Sequence, residues 1–257
     1  MKFNNKYHLI GNVAIGTNVR IGDRTIIYDC VEIGDNSIIA NDCVIGEPLS
    51  EYYYNDKYTN PKTAIGPNCL IRSHTIIYAG NTIGDNFQTG HGATVRENST
   101  IGCNCSIGTF SDIQGFVKIG NYCRLHSNVF IPQYTVLGNF VFVYPGVIMT
   151  NDKTPPSNLQ KGPFIEDYSQ ISAGSVILPG IRIGKNCLVG AGSVVTSNVN
   201  DYSLVSGNPA RFVKDIREIK SWESDSLHYP WMYHFVRGMP WEDMGYDAWV
   251  SLNQDAQ

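Results

Sequence analysis

An aliphatic residue returns at every sixth position through most of this chain. The register is interrupted after Ile45 and again after Met149, and Thr89 and Met149 are its two members outside the Ile, Leu and Val class. A period of six fits neither the 3.6-residue helix nor simple strand alternation, so it predicts an architecture of its own. The ladder positions are Leu9, Ile15, Ile21, Ile27, Ile33, Ile39, Ile45, Ile65, Ile71, Ile77, Ile83, Thr89, Val95, Ile101, Ile107, Ile113, Ile119, Leu125, Ile131, Leu137, Val143, Met149, Ile165, Ile171, Ile177, Ile183, Val189 and Val195.

Each six-residue unit also has a second inward slot, four residues after the aliphatic one. Turn formers such as Gly34-Asp35-Asn36 lie between the two slots and tolerate the positive φ that a tight corner needs. Three corners close a triangle, so eighteen residues form one coil, and neighbouring coils lie about 4.8 Å apart. The pattern therefore predicts an all-β fold, a parallel β-helix, but spacing alone does not give its hand. Small or β-branched residues fill the second slot at Thr25, Ser37, Cys43, Cys69, Ser111, Thr135, Ser175 and Ser193.

The units IGDNSI, IGPNCL and IGKNCL resemble the hexapeptide-repeat superfamily, which consists largely of acyltransferases. The resemblance covers roughly residues 9 to 212 and implies a left-handed parallel β-helix. We expect this domain to span residues 1–212, with loop insertions at about 47–64 and 150–164. Residues 213–257 form a tail in which Val213, Ile216, Ile219 and Trp222 recur at helical spacing, which predicts a short amphipathic helix. The rest of the tail is rich in aromatic residues and is expected to pack on the prism or on a neighbouring subunit.

Composition narrows the setting of this fold. The hydrophobic content of 42% and net charge of −4 allow a sizeable core, and they argue against a nucleic-acid partner. No apolar run approaches the roughly 18 residues that span a bilayer, and the N-terminus has no signal-peptide core, so we expect a cytoplasmic protein without membrane insertion. Five of the seven cysteines occupy the second inward slot, and we expect none of the seven to be catalytic, metal-binding or bridged: Cys43, Cys69, Cys105, Cys123 and Cys187.

The two interruptions are candidates for function, because loops on rigid scaffolds carry it. The first contains Tyr52 and Tyr53, which could stack on a base or a ring of the substrate, or could fold back to cover the prism. The second begins with Asn151 and Asp152 and would place an amide and a carboxylate on an exposed rim.

Stacking in steps of eighteen places Glu97, Gln133 and Asn151 along one edge, as candidate substrate-binding residues. His91 and His126 fall on another shared face, together with His74. These histidines span about 14 Å of coil rises, too far for one metal ion that needs three ligands near 2 Å, so we predict no metal.

The C-terminal coils resemble the coenzyme A region of the superfamily. Ser172-Ala173-Gly174 and Gly190-Ala191 are small residues that, by this resemblance, let the pantetheine arm lie along the prism. The segment from Ser206 to Arg211 resembles the motif near the adenine, and it implies roles for Pro209, Arg211 and Lys214 in cofactor binding. Small residues at these positions would also serve simply to turn corners. The implied cosubstrate is acetyl-CoA.

The acceptor side resembles the branch that N-acetylates nucleotide-linked amino sugars for surface polysaccharides. The Thr150-Asn151-Asp152 motif is similar to members acting on 3-amino sugars, in which Asn and Asp bind the sugar and its amine. Some members carry Glu where this chain has Gln133, and Thr89-Gly90-His91 resembles relatives that act on 4-amino sugars. The favoured substrate is a dTDP-linked 3-amino-3,6-dideoxyhexose, with the 4-amino sugar as an open alternative.

An amine nucleophile needs orientation, an oxyanion donor and a proton acceptor. His126, His91 and Asp152 are the catalytic candidates, the histidines as bases and Asp152 to hold the ammonium; each histidine could instead be a corner residue bonded to a carbonyl. The superfamily resemblance implies a homotrimer with sites in clefts between subunits. Transfer to a hydroxyl with a His base, and a non-catalytic trimeric binding scaffold, are the competing hypotheses.

Overall fold

The chain folds into a three-sided coil of short parallel strands, and the computed structural model describes residues 6–253. Three 3₁₀ turns, Ser50–Tyr53, Ile216–Glu218 and Trp231–Tyr233, and one α-helix, α1 (Tyr246–Asn253), accompany the strands of the described chain. The strands are β1 (His8–Leu9), β2 (Val13–Ile15), β3 (Arg20–Ile21), β4 (Ile26–Ile27), β5 (Val31–Ile33), β6 (Ile38–Ile39), β7 (Val44–Glu47), β8 (Thr63–Ile65), β9 (Leu70–Ile71), β10 (Ile76–Tyr78), β11 (Thr82–Ile83), β12 (Gln88–Thr89), β13 (Thr94–Val95), β14 (Thr100–Ile101), β15 (Ser106–Ile107), β16 (Asp112–Ile113), β17 (Lys118–Ile119), β18 (Arg124–Leu125), β19 (Phe130–Ile131), β20 (Val136–Leu137), β21 (Phe142–Val143), β22 (Ile148–Met149), β23 (Phe164–Ile165), β24 (Gln170–Ile171), β25 (Val176–Ile177), β26 (Arg182–Ile183), β27 (Leu188–Val189), β28 (Val194–Val195), β29 (Ser203–Gly207) and β30 (Ala210–Asp215).

Every third strand pairs in parallel, which gives three sheets around one core. The first sheet has the order β1-β4-β7-β10-β13-β16-β19-β22-β25-β28, and the second has β2-β5-β8-β11-β14-β17-β20-β23-β26. The third has β3-β6-β9-β12-β15-β18-β21-β24-β27-β29-β30. The prediction of an all-β, left-handed parallel β-helix is confirmed.

The repeat fixes the register, as predicted from the sequence. Ile77 pairs with Val95 and Val95 with Ile113, eighteen residues on each time. Across the first interruption Ile45 pairs with Ile77, and across the second Leu137 pairs with Ile165, so each insertion leaves the ladder intact beyond it.

The predicted inward ladder forms the core. From Ile21 onward every ladder residue is at most 5% exposed, and the small second slots are equally buried. Leu9 and Ile15 differ, with 45% and 37% exposure, because their coil has a neighbouring coil on one side only within the described chain. Burial raises the pKa of the Cys43, Cys69 and Cys187 thiols to about 11, which keeps these core thiols protonated.

The C-terminal tail packs on the third sheet and on the edge between the second and third sheets. At that edge Tyr122, Phe140 and Tyr168 stack one per coil, with ring centroids 5.1 and 4.9 Å apart. Trp241, fully buried, packs against Phe140 at 5.1 Å. Trp231 donates its indole N–H to the Tyr168 carbonyl at 2.9 Å. The tail was expected to pack either on the prism or on a neighbouring subunit, and in the structure it packs on the prism of its own chain.

The predicted amphipathic helix of Val213, Ile216, Ile219 and Trp222 is wrong. The segment instead continues β29 as a hairpin, because the last coil presents a free strand edge that β30 covers with antiparallel pairs from Ser203↔Asp215 to Gly207↔Ala210. Val213 is 52% exposed on that strand and Trp222 is fully exposed, whereas Ile216 is buried in the 3₁₀ turn that follows β30, so the helical spacing marks no continuous buried stripe.

Candidate functional site

Two of the three prism edges carry the residues singled out from the sequence. The histidine edge joins the third sheet to the first and comprises residues 72–75, 90–93, 108–111, 126–129, 144–147, 172–175 and 190–193. The Asn-Asp edge joins the first sheet to the second and comprises residues 48–62, 79–81, 96–99, 114–117, 132–135, 150–163 and 178–181. The first sheet separates them by about six extended residues, at most about 20 Å within one chain.

A cavity of about 660 Å³ lies where the tail meets the histidine edge. His91 and His126 line it, whereas His74 does not, so two of the three predicted histidines share one site. The tail contributes a wall that the repeat pattern could not predict. Its residues in the lining are His228, Tyr229, Trp231, Phe235 and Arg237.

His126 packs against a tyrosine in the wall of this cavity. Its imidazole stacks on Tyr144 one coil away, with ring centroids 4.9 Å apart and planes within 13°. Partial burial, and then the nearby Arg124 guanidinium, lower the pKa of His126 below its ordinary value of 6.5. Both effects disfavour the charged imidazolium, so His126 is neutral at physiological pH and can accept a proton.

Thr89, the break in the aliphatic ladder, reorganises the backbone beside His91. At Thr89 the third sheet loses one ladder pair, and only Gln88 and Leu70 are in register between β12 and β9. The Thr89 hydroxyl accepts the Arg72 backbone N–H at 2.9 Å and hydrogen-bonds the Thr75 hydroxyl at 3.1 Å. The Thr89 carbonyl then accepts the Arg72 guanidinium at 2.6 Å. The break therefore fixes an arginine at the cavity, a role that the sequence did not reveal.

The coenzyme A-like coils lie on the histidine edge, in line with His126. Ser172 is two coils beyond His126, about 10 Å along the prism. Gly174 and Gly192 have φ of +68° and +67°, and a Cβ at either would meet nothing within 4 Å. The edge is therefore open beside Gly174 and Gly192, which with Ala173 and Ala191 form a groove of small residues; at Gly190 a Cβ would instead meet the Ser206 Oγ at 2.7 Å.

The residues predicted to contact the adenine end lie at the turn of the terminal hairpin. Pro209 is in the turn between β29 and β30, and Arg211 and Lys214 are exposed on β30. The Arg211 guanidinium hydrogen-bonds the Ala210 carbonyl at 3.0 Å. A role for these three residues in cofactor binding stays a prediction.

Asn151 and Asp152 lie on the Asn-Asp edge, away from His126 in the same chain. Asp152 accepts hydrogen bonds from the Ser157 hydroxyl and N–H, both at 2.7 Å, and from the Thr154 N–H at 3.0 Å. Led by the Ser157 hydroxyl, these bonds lower the pKa of Asp152, so the carboxylate is charged and holds its own loop together. The Asn151 amide donates to the Gln133 carbonyl at 3.5 Å, which brings these two candidates together.

The other predicted substrate residues on this edge lie farther from Asn151. Glu97 is nearly buried and pairs with Arg96 at 2.7 Å, three coils or about 14 Å from the coil of Asn151. Tyr52 and Tyr53 lie five coils away, about 24 Å, in the first loop. Their rings contact each other edge to face at 5.3 Å, and both remain substantially exposed.

The arginines of the cavity escaped the sequence reasoning: Arg72, Arg124 and Arg237. Arg124 could have been found, because it is the outward neighbour of Leu125 and lies two residues before His126. Arg237 could not, because nothing in the tail sequence specifies which prism face it meets.

The described residues contain neither a metal-ligand cluster nor a membrane-spanning helix. Among residues 6–253, no three His, Cys, Asp or Glu side chains group as metal ligands would. Nor does any helix there have the length and apolarity to cross a bilayer.

Known proteins share the repeat and the coil. The family model for the bacterial transferase hexapeptide, six repeats, matches residues 9–47, 98–133 and 162–197. The bifunctional protein GlmU of Thermotoga maritima is 31% identical over 198 residues, which cover 77% of this chain and 41% of that protein. A tetrahydropyridine-dicarboxylate N-acetyltransferase of Staphylococcus aureus is 37% identical over 83 residues, 32% of this chain and 34% of that protein. The chain thus spans about a third to two fifths of the length of these curated relatives.

Solved structures give the same fold. The UDP-N-acetylglucosamine acyltransferase of Arabidopsis superposes with a TM-score of 0.66 at 18% identity, covering 82% of this chain and 73% of that one. The enzyme of that name from Campylobacter jejuni superposes with a TM-score of 0.54 at 18% identity, covering 86% and 79%. Three segments of this chain thus carry the bacterial transferase hexapeptide repeat, and its fold is the left-handed parallel β-helix.

Proposed function

We propose that this protein is an N-acetyltransferase that moves an acetyl group from acetyl-CoA to the amine of a nucleotide-linked amino-dideoxy sugar. The observation that carries the proposal is the histidine edge: neutral His126 and an open groove of small residues lie in line on one chain. The favoured acceptor is a dTDP-linked 3-amino-3,6-dideoxyhexose, because the Thr150-Asn151-Asp152 motif is similar to members acting on 3-amino sugars. The motif is half-buried and opens the largely exposed loop 153–161.

In this reaction the sugar amine attacks the thioester carbonyl carbon. A C–N bond forms, the carbonyl oxygen takes negative charge, and collapse of the intermediate breaks the C–S bond. His126 accepts the proton that the amine loses and can return it to the leaving thiolate, so coenzyme A departs as the thiol. A backbone N–H of the groove would stabilise the oxyanion.

The homotrimer belongs to the same proposal. The outward side chains of the first sheet are largely apolar, among them Ile76, Phe130, Ile148 and Val176, and Ile148 is 46% exposed in the single chain. A trimer that covers this face would bring the Asn-Asp edge of one subunit to the histidine edge of its neighbour. Asn151 and Asp152 would then approach a sugar whose amine lies near His126.

Mass spectrometry of the products tests the proposal. The protein is incubated with acetyl-CoA and, separately, with dTDP-, UDP- and GDP-linked 3-amino and 4-amino sugars. We expect one acetyl group on one 3-amino sugar, and retention of that group at the nitrogen on mild alkaline treatment. Acetylation of none of these sugars would contradict the proposal.

The role of His126 separates N-transfer from O-transfer. An amine is already a nucleophile in its neutral form, so His126→Ala should lower kcat by about 10²- to 10⁴-fold, the usual contribution of a general base. His74→Ala, on the same edge but outside the cavity, is the matched control and should leave kcat unchanged. A larger loss for His126→Ala, with acetyl on a hydroxyl, would favour the O-acyltransferase.

A further inference from the structure

The cavity at the tail is strongly cationic. Its lining includes Arg72, Arg124 and Arg237 and contains neither Asp nor Glu. His91, His126 and His228 are further nitrogen donors in the same lining. Guanidinium groups confined in one concave space repel each other unless an anion joins them.

Arg124 is the most confined of the three. Its guanidinium lies between the rings of Phe142 and Phe235, 5.5 and 5.3 Å from their centroids. It donates to the carbonyl oxygens of Arg237 at 2.6 Å and Gly238 at 3.3 Å, which are neutral acceptors. Burial, and then the charge of Arg237, lower the pKa of Arg124; Glu242, which accepts the Gly238 N–H, opposes this more weakly.

Arg72 and Arg237 flank Arg124 from different elements. Arg72 is held toward the cavity by its bond to the Thr89 carbonyl, the bond that the break in the aliphatic ladder creates. Arg237 is exposed at the rim, with its guanidinium 6.0 Å from the Phe235 ring. One cation thus comes from the corner after β9, one from β18 and one from the tail.

We propose that Arg72, Arg124 and Arg237 form a binding site for a diphosphate, with the C-terminal tail as an essential wall. The planar guanidinium fork matches phosphate oxygens in pairs. The side chains of Arg72 and Arg124 enter the cavity from coils about 14 Å apart, so they approach the diphosphate from opposite ends. Aromatic rings beside the arginines, from Phe142, Phe235 and Tyr229, offer an apolar surface for the group that carries the diphosphate.

The inference rests on the proposed function for its choice of ligand. A diphosphate reaches this cavity from one of two sources, the nucleotide-linked sugar or coenzyme A. The chemistry of recognition is the same for both. Because Arg237 belongs to the tail, either ligand would bind the prism and the tail together.

Direct binding tests this inference without any catalytic step. Isothermal titration calorimetry would measure dTDP, UDP, GDP and coenzyme A against the wild type, Arg72→Gln and Arg237→Gln. The matched control is Arg20→Gln, on the same third sheet but at its exposed N-terminal end, five strands from Arg124. Thermal unfolding of each variant checks that it is folded, and Arg237 is exposed enough that its variant should fold normally.

We expect each cavity variant to bind a diphosphate ligand at least about tenfold more weakly, the usual loss for one charge-assisted hydrogen bond, with the control unchanged. Weaker nucleotide binding alone assigns the site to the acceptor, and weaker coenzyme A binding alone assigns it to the donor; both support the site. Unchanged affinity for all four ligands, or a wild type that binds none, overturns it. Acetyl transfer together with unchanged affinities in the variants would refute the diphosphate site but leave the proposed function standing. Binding that depends on the arginines, without acetyl transfer, would support the diphosphate site and contradict the proposed function.

Discussion

Replacing Thr89 by valine tests whether the break in the aliphatic ladder lowers the stability of the protein or contributes to it. The repeat favours an aliphatic residue at this buried position, and valine has nearly the shape of threonine, so the pattern alone predicts a more stable protein. The hydrogen bonds of the Thr89 hydroxyl to Arg72 N–H and the Thr75 hydroxyl predict the opposite.

The magnitude follows from those two bonds. Without the hydroxyl, the Arg72 backbone N–H loses its acceptor, which costs about 1 to 3 kcal/mol for a buried group. The bond to Thr75 contributes about 1 kcal/mol, although the Thr75 hydroxyl keeps the Gly90 carbonyl at 3.3 Å as a second partner. The extra buried methyl returns about 0.8 kcal/mol. We expect Thr89→Val to lower the free energy of unfolding by about 1 to 3 kcal/mol.

Differential scanning calorimetry at fixed protein concentration would show this as a Tm lower by roughly 2 to 12 °C. The control is Val95→Thr, the next ladder residue and fully buried, where an added hydroxyl should also destabilise because the ladder there is intact. A raised or unchanged Tm for Thr89→Val would refute the reasoning. Such a result would mean that, in the variant, the Arg72 backbone N–H donates to the carbonyl of residue 89 and so restores the missing pair between β9 and β12.

The remaining predictions concern the base, the groove and the tail. In NMR titrations His126 should titrate below 6.5, and Arg124→Gln should raise that pKa, because a neighbouring positive charge is removed; activity should fall as pH drops through the His126 pKa, and an unshifted titration would exclude the Arg124 effect. Gly174→Ala should raise KM for acetyl-CoA, because its methyl would enter the open groove, whereas Gly180→Ala, with the same φ of +68° on the Asn-Asp edge, should not; equal KM values would argue against the groove. Trp241→Ala should cost about 3 to 5 kcal/mol within the tail, so limited proteolysis should remove the tail and leave the prism intact; an uncut tail would show that Trp241 does not anchor it.

The edges of the prism were predictable because a strict repeat fixes positions in space. Eighteen residues form one coil, so the arithmetic that placed Glu97, Gln133 and Asn151 on one edge agrees with the register of Thr94, Asp112, Phe130 and Ile148 in the first sheet. The same arithmetic placed His91 and His126 on one edge, and the structure shows that Ser172 and Gly190 continue the line of His126. Periodicity gives the location of a residue, and here that was enough to outline half of the candidate site.

The contacts of individual side chains were not predictable in this way. The sequence proposed Asp152 as a partner for an ammonium group, but in the chain its carboxylate accepts three hydrogen bonds from its own loop. Ser157 lies five residues on in a proline-containing loop without a repeat, so no spacing rule located it. The tail likewise has no period, and Arg237 reaches the cavity only because Trp231 and Trp241 anchor the tail on stacked rings.

The proposed catalytic groups occupy opposite borders of an apolar sheet, and this arrangement would make assembly a condition for catalysis. His126 and the groove lie on one border of the first sheet, and Asn151 and Asp152 lie on the other, at most about 20 Å away in one chain. A sugar amine must come within about 3.5 Å of the thioester carbon, so one chain could not use both borders at once. In the proposed trimer, burial of the apolar side chains between the two borders supplies the free energy of association. The same interface brings His126 and the groove of one subunit to Asn151 and Asp152 of its neighbour. A polar substitution at the exposed Ile148 should therefore lower activity and trimer content together, although Ile148 itself would touch no substrate.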